Sequence, residues 1–191
     1  DIASQLIDFN YGDGLEVALG GGKSFFVPTD DGGKREDGRN LPSEWQTKNG
    51  SELVENTQGL LQASPDTKNL LGLFSDSHMD FELARDKSPE GQPSLAQMTE
   101  KALEILMKNK RGFFLMVEAG RIDHAHHGTS AKNALAETVE LSNAVEIAKQ
   151  VSGKKTLIIV TADHAHTMTM SGYPERGTDI LGFAGKDKKG L

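Results

Sequence analysis

Two short segments of the chain concentrate side chains that can bind metal ions. The first reads EAGRIDHAHH over residues 118–127, and the second reads TADHAH over residues 161–166. Together they contain three carboxylates and five of the six histidines. Imidazole nitrogens and carboxylate oxygens, with no sulfur, suit Zn²⁺ in a catalytic site, and carboxylate-rich surroundings suit Mg²⁺. The two segments therefore predict a metal centre.

Five residues are the candidate ligands: Glu118, Asp123, His127, Asp163 and His164. Asp123 and His127 are four residues apart, so one helical turn would point both side chains at the same ion. Asp163 and His164 are adjacent, and both can reach one ion where the backbone turns at a strand end. A lone Asp-His pair is more often a surface pair, and a histidine cluster alone can bind metal adventitiously. The presence of both clusters in one chain favours a metal site.

The remaining histidines have other expected roles. His124 and His166 are out of phase with the ligands, and we expect them to support ligating residues by hydrogen bonds. We expect His126 to be exposed. His78 stands apart in SDSHMD, which predicts a loop or surface position.

A continuous apolar run leads into each ligand segment. GFFLMVE over residues 112–118 and TLIIVTADH over residues 156–164 are typical of strands covered on both faces. Ligands gather at the carboxyl ends of parallel strands. We therefore expect Glu118, Asp163 and His164 at one edge of a sheet.

Further elements alternate along the chain. Strands are predicted over residues 15–19 and 70–75, and helices are predicted at the start, from residue 93 and over residues 130–151. This alternation predicts an α/β fold with a mostly parallel sheet flanked by helices. The polar, turn-rich residues 29–59 are predicted to be a surface excursion.

Length and composition narrow the class of protein. At 191 residues, we expect residues 1–191 to form a single domain. A net charge of −7 argues against nucleic acid as a partner. No run approaches the ~20 apolar residues of a membrane span.

The GGGKS segment resembles part of a phosphate loop. It lacks that motif's first glycine, because Val17 occupies the position, so a tight turn is predicted.

The motifs resemble those of the alkaline phosphatases. VEAGRIDHAHHG and VTADHAHT carry the resemblance most specifically. DIASQLI, VALGGGKSFF, LLGLFSDSHM, PSLAQMTEKAL and GYPERGTDILGFAG fall in the family's order. The resemblance covers most of the chain and implies an incomplete alkaline-phosphatase-like domain, cut from a longer protein.

The resemblance also implies individual roles. Glu118 would be the magnesium ligand, Asp123 and His127 would bind a first zinc, and Asp163 and His164 would bind a second. In that family a serine attacks the phosphorus of a phosphate monoester, and the resulting phosphoserine is hydrolysed. The resemblance thus implies two Zn²⁺, one Mg²⁺ and small phosphate monoesters as substrates.

Several parts of the family's site have no match here. The serine nucleophile, the phosphate-binding arginine, the aspartate that bridges the second zinc and magnesium, and a later histidine of the first zinc are missing. Ser130 and Ser171 have the wrong sequence context for the nucleophile. Ser75 and Gln92 replace the acidic residues of a calcium site found in some members. We therefore expect the parent protein to be the phosphatase, and this chain alone to bind zinc weakly and lack turnover.

Two alternative functions stay open. A phosphodiesterase, phosphomutase or sulfatase of the same superfamily would keep the metals and change the reaction. A non-catalytic metal-binding module would bind zinc tightly with a full ligand set. Family membership further implies a homodimer and a periplasmic or secreted location.

Overall fold

The computed structural model describes residues 2–12, 14–48, 50–166, 168–169 and 173–181. Asp1, from which the sequence predicts a helix to be entered through a cap, lies outside these residues. The helices of the described part are α1 (Ile2–Ile7), α2 (Leu41–Thr47), α3 (Thr57–Gln62), α4 (Leu95–Leu106), α5 (Arg121–His127) and α6 (Ala131–Ser152). Within this part of the chain, none of them is long and apolar enough to cross a membrane.

Three parallel strands form the sheet. They are β1 (Val17–Gly20), β2 (Ser51–Val54) and β3 (Asn69–Leu73), and β3 lies between the other two. Leu71 in β3 is the register partner of both Ala18 and Leu53. The parallel sheet with its helices confirms the predicted α/β fold.

Alternation along β3 divides the core between the two faces of the sheet. Leu71 and Leu73 point to one face, where they pack with the apolar side chains of α1 and α2. Leu70 and the following Phe74 belong to the other face, with Leu60 of α3 and Ile105 of α4. Because successive strand residues point to opposite sides, this short strand anchors both helical layers.

Residues 29–59, expected as a surface excursion, contribute to this core in their second half. Trp45 of α2 is only 1% exposed, and its indole N–H donates to the Glu52 carbonyl of β2. Asn40 caps α2 by accepting a hydrogen bond from the Ser43 amide. The polar composition of this segment gave no indication of the amphipathic helix α2 or of the edge strand β2. Each of these elements buries only a few residues, so its apolar pattern is weak.

The apolar runs of residues 112–118 and 156–164 do not form strands, so that prediction was wrong for the described structure. Neither run pairs with another strand among the described residues. Phe114 is 88% exposed and Leu157 is 82% exposed. A strand is defined by hydrogen bonds to a neighbour, and the β1–β3–β2 sheet supplies no neighbour here.

Helices α4, α5 and α6 pack together, and α5 carries the candidate ligands Asp123 and His127. α6 packs against both α4 and α5. Ser94 and Gln97 form a capping box at the start of α4, and Ser130 caps α6. The predicted helices from residue 93 and over residues 130–151 are therefore confirmed within a few residues.

Two buried carboxylates tie α6 to the segments around it. Glu137 accepts a hydrogen bond from the Glu82 amide at 2.6 Å, and Glu140 accepts one from the Ala96 amide at 3.1 Å. Ala96 lies in the first turn of α4, so Glu140 satisfies an amide that has no partner within the helix. Burial raises the pKa of Glu137 above its ordinary value.

Candidate metal centre

The centre is built on α5, a short helix that follows Gly120 and packs against α6. Ala125 is fully buried on this helix. Asp123 and His127 lie one turn apart on the same face, as their spacing predicts. The Nε2 atom of His127 is 3.5 Å from Oδ2 of Asp123.

A third donor reaches this face from the second ligand segment. The Nε2 atom of His166 is 3.4 Å from Oδ1 of Asp123. Donor atoms of Asp123, His127 and His166 all lie within 4.8 Å of one another. His166, expected to support a ligand, is therefore as close to the shared carboxylate as His127 is.

The spacing of these donors fits a divalent ion. Tetrahedral zinc with bonds of about 2.0–2.1 Å keeps neighbouring ligand atoms roughly 3.3 Å apart. Each of the two nitrogen–oxygen separations, 3.5 Å from His127 to Oδ2 of Asp123 and 3.4 Å from His166 to Oδ1, is close to that edge length. Within the described part, the buried Oδ1 of Asp123 and Nδ1 of His166 make no hydrogen bond. An ion bound between the side chains would satisfy Oδ1, which otherwise carries an uncompensated cost.

Asp163 and His164 lie beside the same carboxylate. The Nε2 atom of His164 is 3.6 Å from Oδ2 of Asp163 and 3.9 Å from Oδ1 of Asp123. A ring hydrogen bond to the Ala165 carbonyl, together with the two carboxylates, raises the pKa of His164. Both side chains are exposed, so this pair has a looser environment than the group around His166.

Glu118 stands apart from the three-donor group. It is exposed, and its carboxylate folds back against its own chain, where a Cβ added at Gly120 would lie 3.2 Å from Oε1. The structure therefore does not bring Glu118 together with Asp123, His127 and His166.

A second cluster surrounds His124 on α5. Arg121 stacks on the Phe81 ring at 3.7 Å, and its Nη1 lies 3.1 Å from Nδ1 of His124. A guanidinium can only donate, so Nδ1 accepts and the proton of the neutral ring is on Nε2. Burial, with the nearby His78 and Arg121, lowers the pKa of His124.

His78 is exposed, as expected, but it does not stand alone. Its ring centroid is 4.4 Å from that of His124, in an edge-on arrangement. The signal for this contact was present in the sequence, because His78 follows the carboxyl end of β3, the edge where ligands gather.

His126 corrects another expectation, because it is half-buried rather than exposed. Its Nδ1 is 2.8 Å from the Ile122 carbonyl, and its ring stacks on His166. No sequence signal distinguishes this histidine from its neighbours, since its partner lies 40 residues away.

The GGGKS segment is a turn, as its sequence predicts, and its amides are already used. The amides of Gly22, Lys23 and Ser24 donate to the carbonyls of Ser77, Ser75 and Asp76. A phosphate loop needs such amides free to bind a phosphate. This segment instead fixes the loop that carries His78.

Fold and site together define an α/β protein with a candidate metal centre of nitrogen and oxygen donors. A family profile described as "Alkaline phosphatase" matches residues 1–189. The chain belongs to the alkaline phosphatase family.

Named relatives agree with this membership. The chain is 46% identical to the membrane-bound alkaline phosphatase of Bombyx mori over 195 residues, which cover 95% of this chain and 35% of that protein. It is 42% identical to the tissue-nonspecific alkaline phosphatase of Gallus gallus over 201 residues, covering 96% of this chain and 38% of that protein. The chain therefore spans less than half the length of these relatives.

A solved structure supports the fold as well. The alkaline phosphatase of Thermus thermophilus superposes with a TM-score of 0.66 at 37% identity, over 76% of this chain and 28% of that one.

Proposed function

We propose that this chain supplies the metal-binding part of an enzyme that hydrolyses small phosphate monoesters. The observation that carries the proposal is the approach of Asp123, His127 and His166 to within 4.8 Å, in a chain of the alkaline phosphatase family. Two zinc ions and one magnesium ion are the proposed cofactors.

Asp123 and His127 are the proposed ligands of the first zinc. Their 3.5 Å separation and the unbonded Oδ1 of Asp123 support this role. Asp163 and His164 are the proposed ligands of the second zinc, supported by the position of His164 next to both carboxylates. Glu118 is the proposed magnesium ligand on resemblance alone.

The bound ions supply positive charge that polarises the phosphoryl group and stabilises entering and leaving oxygens. The chain's own residues hold and orient that charge. Asp123 carries negative charge between His127 and His166. His124 is proposed to support the centre through its contacts with Arg121 and His78. Bound metal ions make the charge at the site locally positive. A protein of net charge −7 can therefore still attract a phosphate monoester to that site.

The serine nucleophile and the arginine that binds phosphate are proposed to lie outside this chain. The hydroxyl of Ser130 caps α6 by accepting from the Asn133 amide, which is a structural use of that side chain. The 191 residues alone are therefore proposed to lack turnover.

Among the alternatives, the related phosphodiesterases, phosphomutases and sulfatases share the metals, and the family match favours the phosphatase over them. Tight zinc binding by the isolated chain would instead support a non-catalytic metal-binding module. A homodimer and a periplasmic or secreted location remain part of the proposal through family membership.

A chimera tests the proposal. The matching part of the Bombyx mori enzyme would be replaced by these 191 residues, and hydrolysis of p-nitrophenyl phosphate would be measured at alkaline pH with Zn²⁺ and Mg²⁺. We expect turnover that a chelator abolishes and that Asp123→Asn removes. Asp66→Asn, a change in an exposed turn, is the matched control and should keep turnover.

The isolated chain completes the test. No turnover is expected from it under the same conditions. Chelator-sensitive turnover by the isolated chain would mean that it contains a nucleophile, which would overturn the assignment of roles. A folded chimera without activity would overturn the phosphatase proposal itself.

A further inference from the structure

We infer that His126 is a positioning residue that joins the two ligand segments by stacking on His166. The inference deepens the proposed function and rests on it, since it concerns how the proposed metal centre is assembled. His126 does not touch the three-donor group through a ligand atom; it acts through the ring of His166.

The ring of His126 is fixed on its own helix. Its Nδ1 lies 2.8 Å from the Ile122 carbonyl, one turn earlier in α5. A carbonyl oxygen only accepts, so Nδ1 carries the proton and the ring is held against the helix. One face of this imidazole is in contact with the ring of His166.

His166 rests on that face. The centroids of His126 and His166 are 4.8 Å apart and their planes differ by 21°. His166 also meets the ring of His127 edge-on, at 4.8 Å and 87°. Both arrangements are among those that aromatic rings prefer. His166 thus contacts two rings of α5, with Nε2 3.4 Å from Asp123.

This contact is the anchor of the second ligand segment. The side chain of His166 is 23% exposed, whereas that of Asp163 is 89% exposed. His164 approaches Asp123 only at 3.9 Å. Residues 163–166 have no helix or strand of their own, so docking of His166 decides where Asp163 and His164 lie. The stack therefore serves both pairs of proposed ligands.

The test compares His126→Ala with His126→Phe in the full chain. Zn²⁺ affinity is measured by competition with a chromophoric chelator, and the visible spectrum of the Co²⁺-loaded chain reports ligand geometry. Loss of residues that orient ligands costs on the order of 10–100-fold in metal affinity, and we expect His126→Ala to fall by about 10-fold. His126→Phe keeps a flat ring for His166 to stack on but loses the hydrogen bond to the Ile122 carbonyl, so its affinity should fall between those of His126→Ala and the unaltered chain. Phe25→Ala removes an exposed ring elsewhere and should change nothing.

A metal-free measurement separates this inference from the proposed function. In the chain without ions, the ring protons of His166 should resonate upfield because of the neighbouring ring, and His126→Ala should remove that shift with helical circular dichroism unchanged. Any one of three results would overturn the inference. The first is an unchanged Zn²⁺ affinity in His126→Ala, and the second is a Zn²⁺ affinity in His126→Phe as low as that in His126→Ala. The third is the absence of an upfield shift of the His166 ring protons in the unaltered chain. A chain that binds no Zn²⁺ but retains the shifted resonance would count against the proposed metal centre and leave the stack established.

Discussion

The carboxylate of Asp123 is the point at which both ligand segments meet. His127 approaches one of its oxygens and His166 approaches the other, at 3.5 and 3.4 Å. His164 lies 3.9 Å from the same side chain. A single charge shared by three imidazoles makes this residue the one whose loss should affect the whole centre.

Asp123→Asn should weaken Zn²⁺ binding by the chain at least as much as the loss of an orienting residue, which costs on the order of 10–100-fold. The physical reason is that an amide keeps the shape of the side chain and removes the negative charge. Competition with a chromophoric chelator measures the effect. Asp66→Asn removes an exposed aspartate that pairs with Lys108, and its affinity should match the unaltered chain. Equal affinities for both variants would contradict a role for Asp123.

Glu137 should make stability depend on pH in the sense opposite to most carboxylates. Burial raises its pKa in the folded chain, so the folded state holds this proton more tightly than the unfolded state. Its contribution to stability is therefore present below the unfolded pKa and lost as pH rises through the folded value. Glu82, Glu140 and Arg121 face the same carboxyl and modulate this shift.

Glu137→Gln tests this by removing the titration. The free energy of unfolding, measured with urea in the presence of a chelator, should fall less with rising pH in Glu137→Gln than in the unaltered chain. Glu146→Gln is the control on the same helix, because hydrogen bonds from Lys149 and Gln150 lower the pKa of Glu146. That variant should lose stability relative to the unaltered chain as pH rises. Parallel pH profiles for Glu137→Gln and the unaltered chain would contradict the prediction.

At the scale of elements, two loops at the carboxyl edge of the sheet are locked together by backbone contacts. The loop after β1 donates the Gly22 amide to the Ser77 carbonyl at 2.7 Å and the Lys23 amide to the Ser75 carbonyl at 2.9 Å. Gly21 lies so near this second loop that an added Cβ would overlap the Ser77 oxygen. Only glycine fits there, and the reason is the close approach of two backbones.

Gly21→Ala should therefore destabilise the chain by about 1–3 kcal/mol, the usual range for forcing extra atoms into a packed site. Gly20→Ala is the neighbouring control, because nothing lies within 4 Å of a Cβ at Gly20. Urea unfolding of both variants measures the difference. The prediction fails if both substitutions change stability equally.

The apolar patterns in the sequence predicted the helices more reliably than they predicted the strands at residues 112–118 and 156–164. The apolar spacing of α4 was sufficient to place that helix, because the bonds of a helix are local. The structure adds a capping box at Ser94 and Gln97. The runs over residues 112–118 and 156–164 have equally clear strand patterns. Neither run pairs with a strand in the described structure. Pairing requires a neighbouring strand, and the pattern of residues within a run does not show whether one is present.

At the scale of the whole molecule, two exposed apolar runs within the described residues depart from an ordinary protein surface. Phe114, Met116, Leu157 and Ile159 are all at least three-quarters exposed. Consecutive exposed apolar side chains of this kind favour association, and a soluble monomer rarely presents them.

Phe114→Ser combined with Leu157→Ser should reduce binding of a hydrophobic dye and self-association of the chain. The free energy of unfolding should stay nearly constant, because these side chains bury little area. Dye fluorescence, light scattering and urea unfolding measure the three effects. Leu71→Ala is the contrasting change: Leu71 is buried in the sheet, and its truncation should cost about 2–5 kcal/mol. Unchanged dye binding by the double variant would show that these runs are covered in solution.

The sequence by itself determined the α/β class, the long helices and the residue types of the candidate metal centre. These depend on local periodicity, capping and ligand chemistry, which neighbouring residues specify. It also placed Asp123 and His127 on one face, because four residues make about one helical turn.

Only the tertiary structure decided that His166 shares the carboxylate of Asp123, that His126 stacks on His166 and that His78 meets His124. It also decided that Trp45 lies in the core and that the two apolar runs remain uncovered. Each of these facts depends on which distant residues come within a few ångströms. Which distant residues meet is set by the packing of α5 on α6 and by the pairing of the strands. The spacing of residues along the chain does not determine it.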